Sequence, residues 1–477
     1  MTHLTRHLKE HFNMDTFRNS QEAIIQHTLN GGNSLVIMPT GMGKSVCYQL
    51  PALLMDGLTV VISPLIALMQ DQVDGLVKRG IDAAYINSTL SKDERERRYH
   101  KLANGSYRLL YVSPERFRKE EFLKSIGGRT VSLLAVDEAH CVSQWGNDFR
   151  PDYARIGEFR KILGNPVTMA LTATATPDVQ RDIIKALAIP GNEMTTFNEG
   201  TCRQNLSLHV TEVLDEEEKY SILLEKIRQA RGSRIIYFNL IQGIERFASF
   251  LDMQGESYLV YHGKLAAAQK RKVQQRFLGS KNALILATNA FGMGIDKEDI
   301  RLIIHAEVPD SVESYYQEIG RAGRDGNDSQ CLLLYGQDDL AVQTEFLRWK
   351  NPDAGFIQNT YRLLESMGNA VQSATYEELQ EKLVFKNRGD HRLQTVLNIF
   401  DRFGITEGDI ERGTLKLVDG LKEDLVTEEK IQEKMERDRQ RLISMVEYAR
   451  TPGCRRDYIH RYFGVTETSC NNCDNCL

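Results

Sequence analysis

The 477-residue chain is long enough for about three domains at roughly 150 residues each, which excludes a single small module. Hydrophobic residues make up 41% and charged residues 26%, with 35 Gly and 11 Pro, a globular balance that excludes a disordered or fibrous chain. The 60 Lys and Arg against 65 Asp and Glu leave a net charge of −5, which excludes a blanket of positive charge but leaves room for a basic groove.

Residues 1–12 mix Arg6, Lys9 and Glu10 with three His and contain no apolar core of a signal peptide. The longest apolar runs, residues 50–55 and 283–287, are far short of the roughly 18 needed to cross a bilayer. No membrane partner is expected, and the protein is placed in the cytoplasm, associated with the nucleoid if bacterial. Without an export signal, the eight Cys are expected as free thiols or metal ligands rather than disulfides.

From about Ser34 to Leu187, short β-branched runs (35–37, 59–62, 109–112, 133–136, 167–170) alternate with amphipathic stretches. A pause at 197–204 precedes a second series at 234–238, 257–261, 283–286, 302–304 and 331–334. Such alternation predicts α/β domains in which helices cover both faces of a parallel sheet. After about Leu340 the rhythm turns helical, with helices expected over 376–384 and 393–403, then an alternating stretch over 405–418. Two helices and a hairpin suit a winged-helix-like insert, although such pieces are common. Ile431, Met435, Leu442, Val446 and Ala449 mark the expected buried face of a charged helix.

The first strand runs into Met38-Pro39-Thr40-Gly41-Met42-Gly43-Lys44-Ser45, the setting of a P-loop, although Met38 replaces the usual first Gly. Small residues there let successive N–H groups converge on phosphate, Lys44 carries charge to the β and γ phosphates, and Ser45 can ligate Mg²⁺. Thr40, Gly41 and Gly43 complete the expected cradle for ATP. Asp137-Glu138-Ala139-His140 closes another strand, where Asp137 is placed to hold Mg²⁺ and Glu138 to activate water. The second series supplies Gln317-Glu318-Ile319-Gly320-Arg321-Ala322-Gly323-Arg324, whose Arg321 and Arg324 can reach a transferred phosphate across a cleft.

In order along the chain come Phe17-Arg18-Asn19-Ser20-Gln21, the P-loop, Ser63 to Gln72, Asp137 to His140, Ala170 to Ala175, Ala287 to Asp296 and the two-arginine motif. Together they resemble the RecQ family of DNA helicases. That resemblance implies two tandem RecA-like domains, 1–202 and 203–340, followed by a mainly helical zinc-binding region, 341–477, with an insert near 351–427. It also implies that Gln21 reads the adenine edge with Arg18 beside it, and that Gln317, Arg321 and Arg324 are the second domain's catalytic contribution. Met14 stands where the family offers a stacking Tyr, and Asn13 where Gly is common.

The stretch from Cys141 to Tyr153 resembles the family's aromatic-rich loop, so Trp145, Phe149 and Arg150 are expected to couple DNA binding to hydrolysis. Packing at a domain interface is the alternative for Trp145 and Phe149, and Asn147 replaces the family's usual His. Residues 63–72 and 288–294 are expected to line the single-strand path through contacts that position DNA without reading its sequence.

Cys454, Cys470, Cys473 and Cys476 follow C-x15-C-x2-C-x2-C, a set suited to tetrahedral Zn²⁺ and similar to the family's zinc subdomain. A [4Fe–4S] cluster is the alternative, without the nearby fourth Cys and following Pro of that motif. Cys47, Cys141, Cys202 and Cys331 are scattered and read as packing residues. In relatives a winged helix follows the last zinc ligand, whereas this sequence ends one residue after Cys476, so that domain is expected to be absent. Lys386, Arg388 and Arg392 are either duplex contacts or a solvated face.

The expectation is an ATP-, Mg²⁺- and Zn²⁺-dependent 3′→5′ DNA helicase. It acts as a monomer on single-stranded and tailed or forked duplex DNA, in recombination, repair or fork maintenance. Single-strand DNA-binding protein is a further partner to be considered. An RNA helicase, a translocase without strong unwinding, and an ATP-gated nucleic-acid scaffold remain the alternatives.

Overall fold

The β-branched runs form two parallel sheets in this computed structural model, which describes residues 3–64, 66–87, 89–143, 152–200, 203–292, 295, 297–384, 390–410, 413–421, 427–465 and 470–476. The first sheet contains β1 (Asn33–Ile37), β2 (Leu58–Ile62), β3 (Ala83–Ile86), β4 (Leu109–Val112), β5 (Val131–Val136), β6 (Val167–Thr172) and β7 (Met194–Asn198). Their order is β3-β4-β2-β5-β6-β1-β7, and every pairing is parallel.

Successive strand residues point to opposite faces, and each face has its own apolar cluster. Leu35, Ile37, Val60, Ile62, Leu134 and Val136 join one cluster, while Val36, Val61, Leu133 and Ala135 join the other. A fully buried aliphatic side chain is worth roughly 1.5–3 kcal/mol, so burial on both faces explains why these strands read as continuous apolar runs. In this order β6 lies between β1 and β5. The loops that leave their C-terminal ends, at 38–45, 137–140 and 173–176, therefore open on one edge of the sheet, where parallel sheets place their ligands.

The second sheet contains β8 (Leu206–Glu212), β9 (Ser233–Tyr237), β10 (Leu259–Tyr261), β11 (Leu284–Ala287), β12 (Ile300–His305) and β13 (Ser329–Tyr335). Its order is β10-β11-β9-β12-β13-β8, again wholly parallel. The strands β3, β7 and β8 are absent from the sequence pattern, and all three are sheet edges. Along β7 and β8 buried residues are interspersed with exposed or half-buried ones, which dilutes the apolar signal.

Residues Gly336–Glu447, together with Val308–Ser311, form a separate compact unit. Within it the helices Ala354–Met367, Tyr376–Val384 and Arg392–Arg402 pack around Phe356, Leu379, Leu393, Val396 and Phe400. They are joined by a short antiparallel hairpin, β14 (Thr406–Glu407) with β15 (Lys416–Leu417). Three helices and a hairpin are the parts of a winged-helix unit. The Arg392 guanidinium pairs with Asp390 at 2.7 Å and lies 4.4 Å over the Phe356 ring. Lys386 and Arg388 lie outside the described residues.

The long helix Glu428–Arg450 buries Leu442, Met445, Tyr448 and Ala449. This corrects the expected stripe, because Met435 is exposed and Met445 and Tyr448 carry the buried face in place of Val446. Tyr448 groups with the two-sheet unit, where its hydroxyl meets that of Tyr315 at 3.2 Å. Among the described residues no helix is long and apolar enough to cross a membrane.

Candidate active site

β1 ends at Ile37, and residues 38–45 turn into the helix Val46–Leu54. Gly41 and Gly43 both have φ of +81°, a region that side chains with a Cβ avoid. A Cβ at Gly41 would lie 2.9 Å from Arg324 Cγ, and one at Gly43 would lie 2.8 Å from Gln21 Nε2. The Lys44 ammonium donates to Met38 O at 3.2 Å, and Ser45 stands at the helix N-cap position with no capping bond from its side chain.

The residues before the first sheet brace this loop. Gln21 Nε2 donates to Met42 O at 2.9 Å and to Gly43 O at 3.1 Å, while its Oε1 accepts from Arg18 N at 2.9 Å. Arg18 Nη1 donates to Gly41 O at 3.1 Å. Arg18 and Gln21, expected at the adenine edge, both bond the P-loop backbone here, so the Gln21 amide nitrogen is engaged with the loop. Met14 is exposed beyond the helix His3–Phe12.

At the end of β5, Asp137 is buried and accepts from Glu138 N at 3.0 Å. Burial, then the neighbouring Glu138 charge, push the Asp137 carboxyl up to about 7 against the pull of Lys44 and His140. A buried carboxylate that feels the charge of the P-loop's Lys44 fits a divalent cation, whose charge would hold it ionised. Glu138 is a non-glycine residue with φ of +47°, the kind of backbone strain that clusters at functional sites. Its buried Oε2 has no hydrogen-bond partner and faces His140 Nδ1 at 3.4 Å.

From there a polar chain crosses to the second sheet's domain. His140 Nδ1 is 3.0 Å from Thr172 Oγ1, which lies 3.1 Å from Thr174 O. Gln317 Nε2 then donates to Thr174 Oγ1 at 3.0 Å. Gln317 therefore sits at the domain interface, connected to Glu138 through the residues between.

The loop that follows the helix Val312–Ile319 presses on the P-loop. A Cβ at Gly320 would fall on Thr40 Oγ1, and the Arg324 stem lies along Gly41. Arg321 instead donates to Gly292 O within its own domain. One residue of this interface escaped the sequence reading. Arg203, in the link between β7 and β8, is buried; its Nη1 donates to Thr40 O at 3.2 Å and its Nη2 to Ala322 O at 2.9 Å and Gly323 O at 2.6 Å. Burial draws its guanidinium pKa down.

Trp145, Phe149 and Arg150 lie outside the described residues. Of the expected strand-lining segments, Ser63 and Thr288 are buried at the ends of β2 and β11.

The four C-terminal cysteines come together, with their Sγ atoms all within 4.8 Å of one another. Cys454 caps the helix Arg455–Tyr462, and its Sγ accepts from Asp457 N at 3.4 Å. Four thiols in one cluster fit a tetrahedral zinc ion. The group is anchored on β8: Asp474 N donates to Leu208 O at 3.0 Å and Asp474 Oδ2 accepts from Val210 N at 2.7 Å. Arg456 Nη2 adds a bond to Leu206 O at 2.8 Å. By contrast Cys47, Cys141 and Cys331 are buried apart, and burial pushes the Cys47 and Cys331 thiols up to about 12, as packing residues require. Cys202 lies outside the described residues.

Residues 18–183 match the DEAD/DEAH box helicase family, 218–326 the helicase conserved C-terminal domain, and 416–477 the RecQ zinc-binding family. The "Probable ATP-dependent DNA helicase RecS" of Bacillus subtilis is 35% identical over 404 residues, covering 84% of this chain and 79% of its own length. The chain belongs to the RecQ family. The "ATP-dependent DNA helicase RecQ" of the same organism is 46% identical over 346 residues, 72% of this chain, and the chain spans 58% of that relative's length. Among solved structures, Mycobacterium smegmatis helicase Lhr bound to ssDNA and AMP-PNP shares the fold with a TM-score of 0.56 and 20% identity, covering 93% of this chain and 62% of that one. Within this RecQ-family chain, the helicase matches cover β1 to β6 and β9 to β12, and the zinc-binding match covers all four cysteines.

Proposed function

We propose that this chain is an ATP- and Mg²⁺-dependent DNA helicase that moves 3′→5′ along a single strand and separates tailed or forked duplexes. The observation that carries the reading is the meeting of the P-loop with the arginine-bearing loop, Gly41 against Arg324 and Thr40 against Gly320, across one interdomain seam.

In this reading Thr40, Gly41, Gly43 and Ser45 cradle the phosphates, and Lys44 exchanges Met38 O for a β/γ phosphate oxygen. Arg18 and Gln21 sit at the adenine end with Met14. Ser45 and Asp137 would hold Mg²⁺, which supplies charge neutralisation on the phosphates. Glu138, whose free oxygen is shielded from bulk water, orients and deprotonates the attacking water. Arg324 stabilises the charge that builds on the transferred group, and Arg321 keeps the loop seated by its bond to Gly292. The polar chain from Glu138 through His140, Thr172 and Thr174 to Gln317 makes hydrolysis and domain contact interdependent. Each ATP closes the seam and each hydrolysis loosens it, which moves the two domains along a strand.

Cys454, Cys470, Cys473 and Cys476 would hold structural Zn²⁺, giving the small C-terminal element the support its few core residues cannot. Trp145, Phe149 and Arg150 are proposed as the DNA-coupling loop. The protein is proposed to work as a monomer in the cytoplasm, in recombination, repair or fork maintenance, with single-strand DNA-binding protein as a further partner. The test is ATP hydrolysis with and without single-stranded DNA or RNA. Stimulation by DNA, lost in Lys44→Ala, is expected; equal turnover in all three conditions would refute the reading.

A further inference from the structure

The first helix, His3–Phe12, faces inward through Leu4, Leu8 and Phe12. A second row, His3, His7 and His11, runs beside it at the same four-residue spacing, with Glu10 between its last two members. None of these side chains belongs to the nucleotide site or to the cysteine cluster.

We propose that His7, Glu10 and His11 form a binding site for a divalent transition metal of the zinc, nickel or copper class. The ligand atoms of these three residues all lie within 4.8 Å of one another. The His7 and His11 rings stand one turn apart and nearly parallel, 7° between planes with centroids 5.9 Å apart. Glu10 Oε2 is 3.7 Å from His7 Nδ1, and that nitrogen is shielded from solvent without a hydrogen-bond partner. A shielded ring nitrogen left idle is costly, and in the tautomer that leaves its lone pair on Nδ1 a metal at a bonding distance of about 2.0–2.2 Å would satisfy it after small rotations. Lys9, beside Glu10 in sequence, pairs with Asp15 at 2.7 Å.

Two imidazoles and one carboxylate favour borderline metals over Mg²⁺ or Ca²⁺, which prefer all-oxygen shells. Residues 7–11 also spell H-x-x-E-H, the spacing by which zinc peptidases set two imidazoles on one helical face. The site differs from the cysteine cluster in softness, so the two sites can be counted separately.

The test uses the full-length chain already carrying zinc, dialysed against Ni²⁺ near neutral pH, with nickel and zinc both quantified. One nickel per chain beyond the retained zinc is expected. His7→Ala and His11→Ala should each weaken it about tenfold or more, Glu10→Gln severalfold, and Lys9→Ala not at all. Bound nickel should be released on acidification, because protons compete with the metal for the imidazole lone pairs. Because His3 Nε2 also lies 3.3 Å from His7 Nε2, a competing pair exists on the same helix. Nickel uptake that persists in His11→Ala and is lost in His3→Ala would overturn the assignment. So would wild-type uptake no greater than that of the double variant His7→Ala/His11→Ala. Circular dichroism of each variant checks that the half-buried His7 and His11 substitutions leave the fold intact.

Discussion

Replacing Arg203 with Ala removes a buried guanidinium that donates to Thr40 O on the P-loop and to Ala322 O and Gly323 O on the arginine-bearing loop. Only the Thr40 bond spans the seam, so only that bond bears on domain closure; the other two hold the loop to its own domain. A hydrogen bond from a charged donor is worth about 1.5–3 kcal/mol, which at ~1.4 kcal/mol per factor of ten corresponds to roughly a ten- to hundredfold loss in closed population. The second-order rate constant of DNA-stimulated hydrolysis, kcat/KM for ATP, should fall by that factor. Arg203→Lys should recover part of it, since one ammonium can reach one carbonyl but not three. The assay is steady-state hydrolysis with saturating single-stranded DNA, alongside thermal unfolding to separate closure from folding. Turnover of Arg203→Ala within about twofold of the wild type, with the fold intact, would refute the latch assigned to this residue.

Glu138→Gln should keep ATP binding while lowering kcat by about 10²–10⁴-fold, the usual contribution of a general base; nucleotide affinity and single-turnover hydrolysis check the separation. Gly320→Ala places a Cβ on Thr40 Oγ1 and should cost roughly 1–3 kcal/mol of closure, a several- to hundredfold fall in ATP turnover with little change in Tm. Adding Thr40→Ala, which deletes the clashing oxygen, should restore part of that loss. Cys473→Ala, at a fully buried ligand position, should take zinc content from about one per chain to near zero and make residues 448–477 sensitive to protease. Metal analysis and limited proteolysis read both effects, and a strong chelator should reproduce them in the wild type.

What the residues disclosed and what they withheld follow one physical division. Gly41, Gly43 and Lys44 were legible because a loop with φ of +81° beside a phosphate admits few residue types. The four cysteines were legible because thiolate pairs at C-x2-C spacing have few other uses. Arg203 was not, since besides Asn205 Oδ1 at 3.3 Å its acceptors are backbone carbonyls of residues 40, 322 and 323, and a carbonyl carries no residue identity. Its one available signal was an arginine standing in the pause between the two strand series. Gln21 was found by its motif, but its hold on Met42 O and Gly43 O depends on a fold that brings the helix Gln21–Leu29 against the loop. The strands β7 and β8 escaped notice because, at sheet edges, exposed and half-buried residues interrupt the apolar run that marks a central strand, whereas β3 is largely buried but only four residues long with two alanines. In the helix Glu428–Arg450, many alternating charges blurred the stripe, and only packing picks Met445 and Tyr448 over Met435 and Val446.

The most direct test of the account is strand displacement on duplexes carrying either a 3′ or a 5′ single-stranded tail, with ATP and Mg²⁺ present. The account predicts that the chain opens the 3′-tailed duplex, fails on the 5′-tailed one, and loses all opening in Lys44→Ala. Opening of the 5′-tailed duplex alone would contradict the polarity. ATP hydrolysis stimulated by DNA with neither duplex opened would contradict the helicase reading itself and leave a translocase.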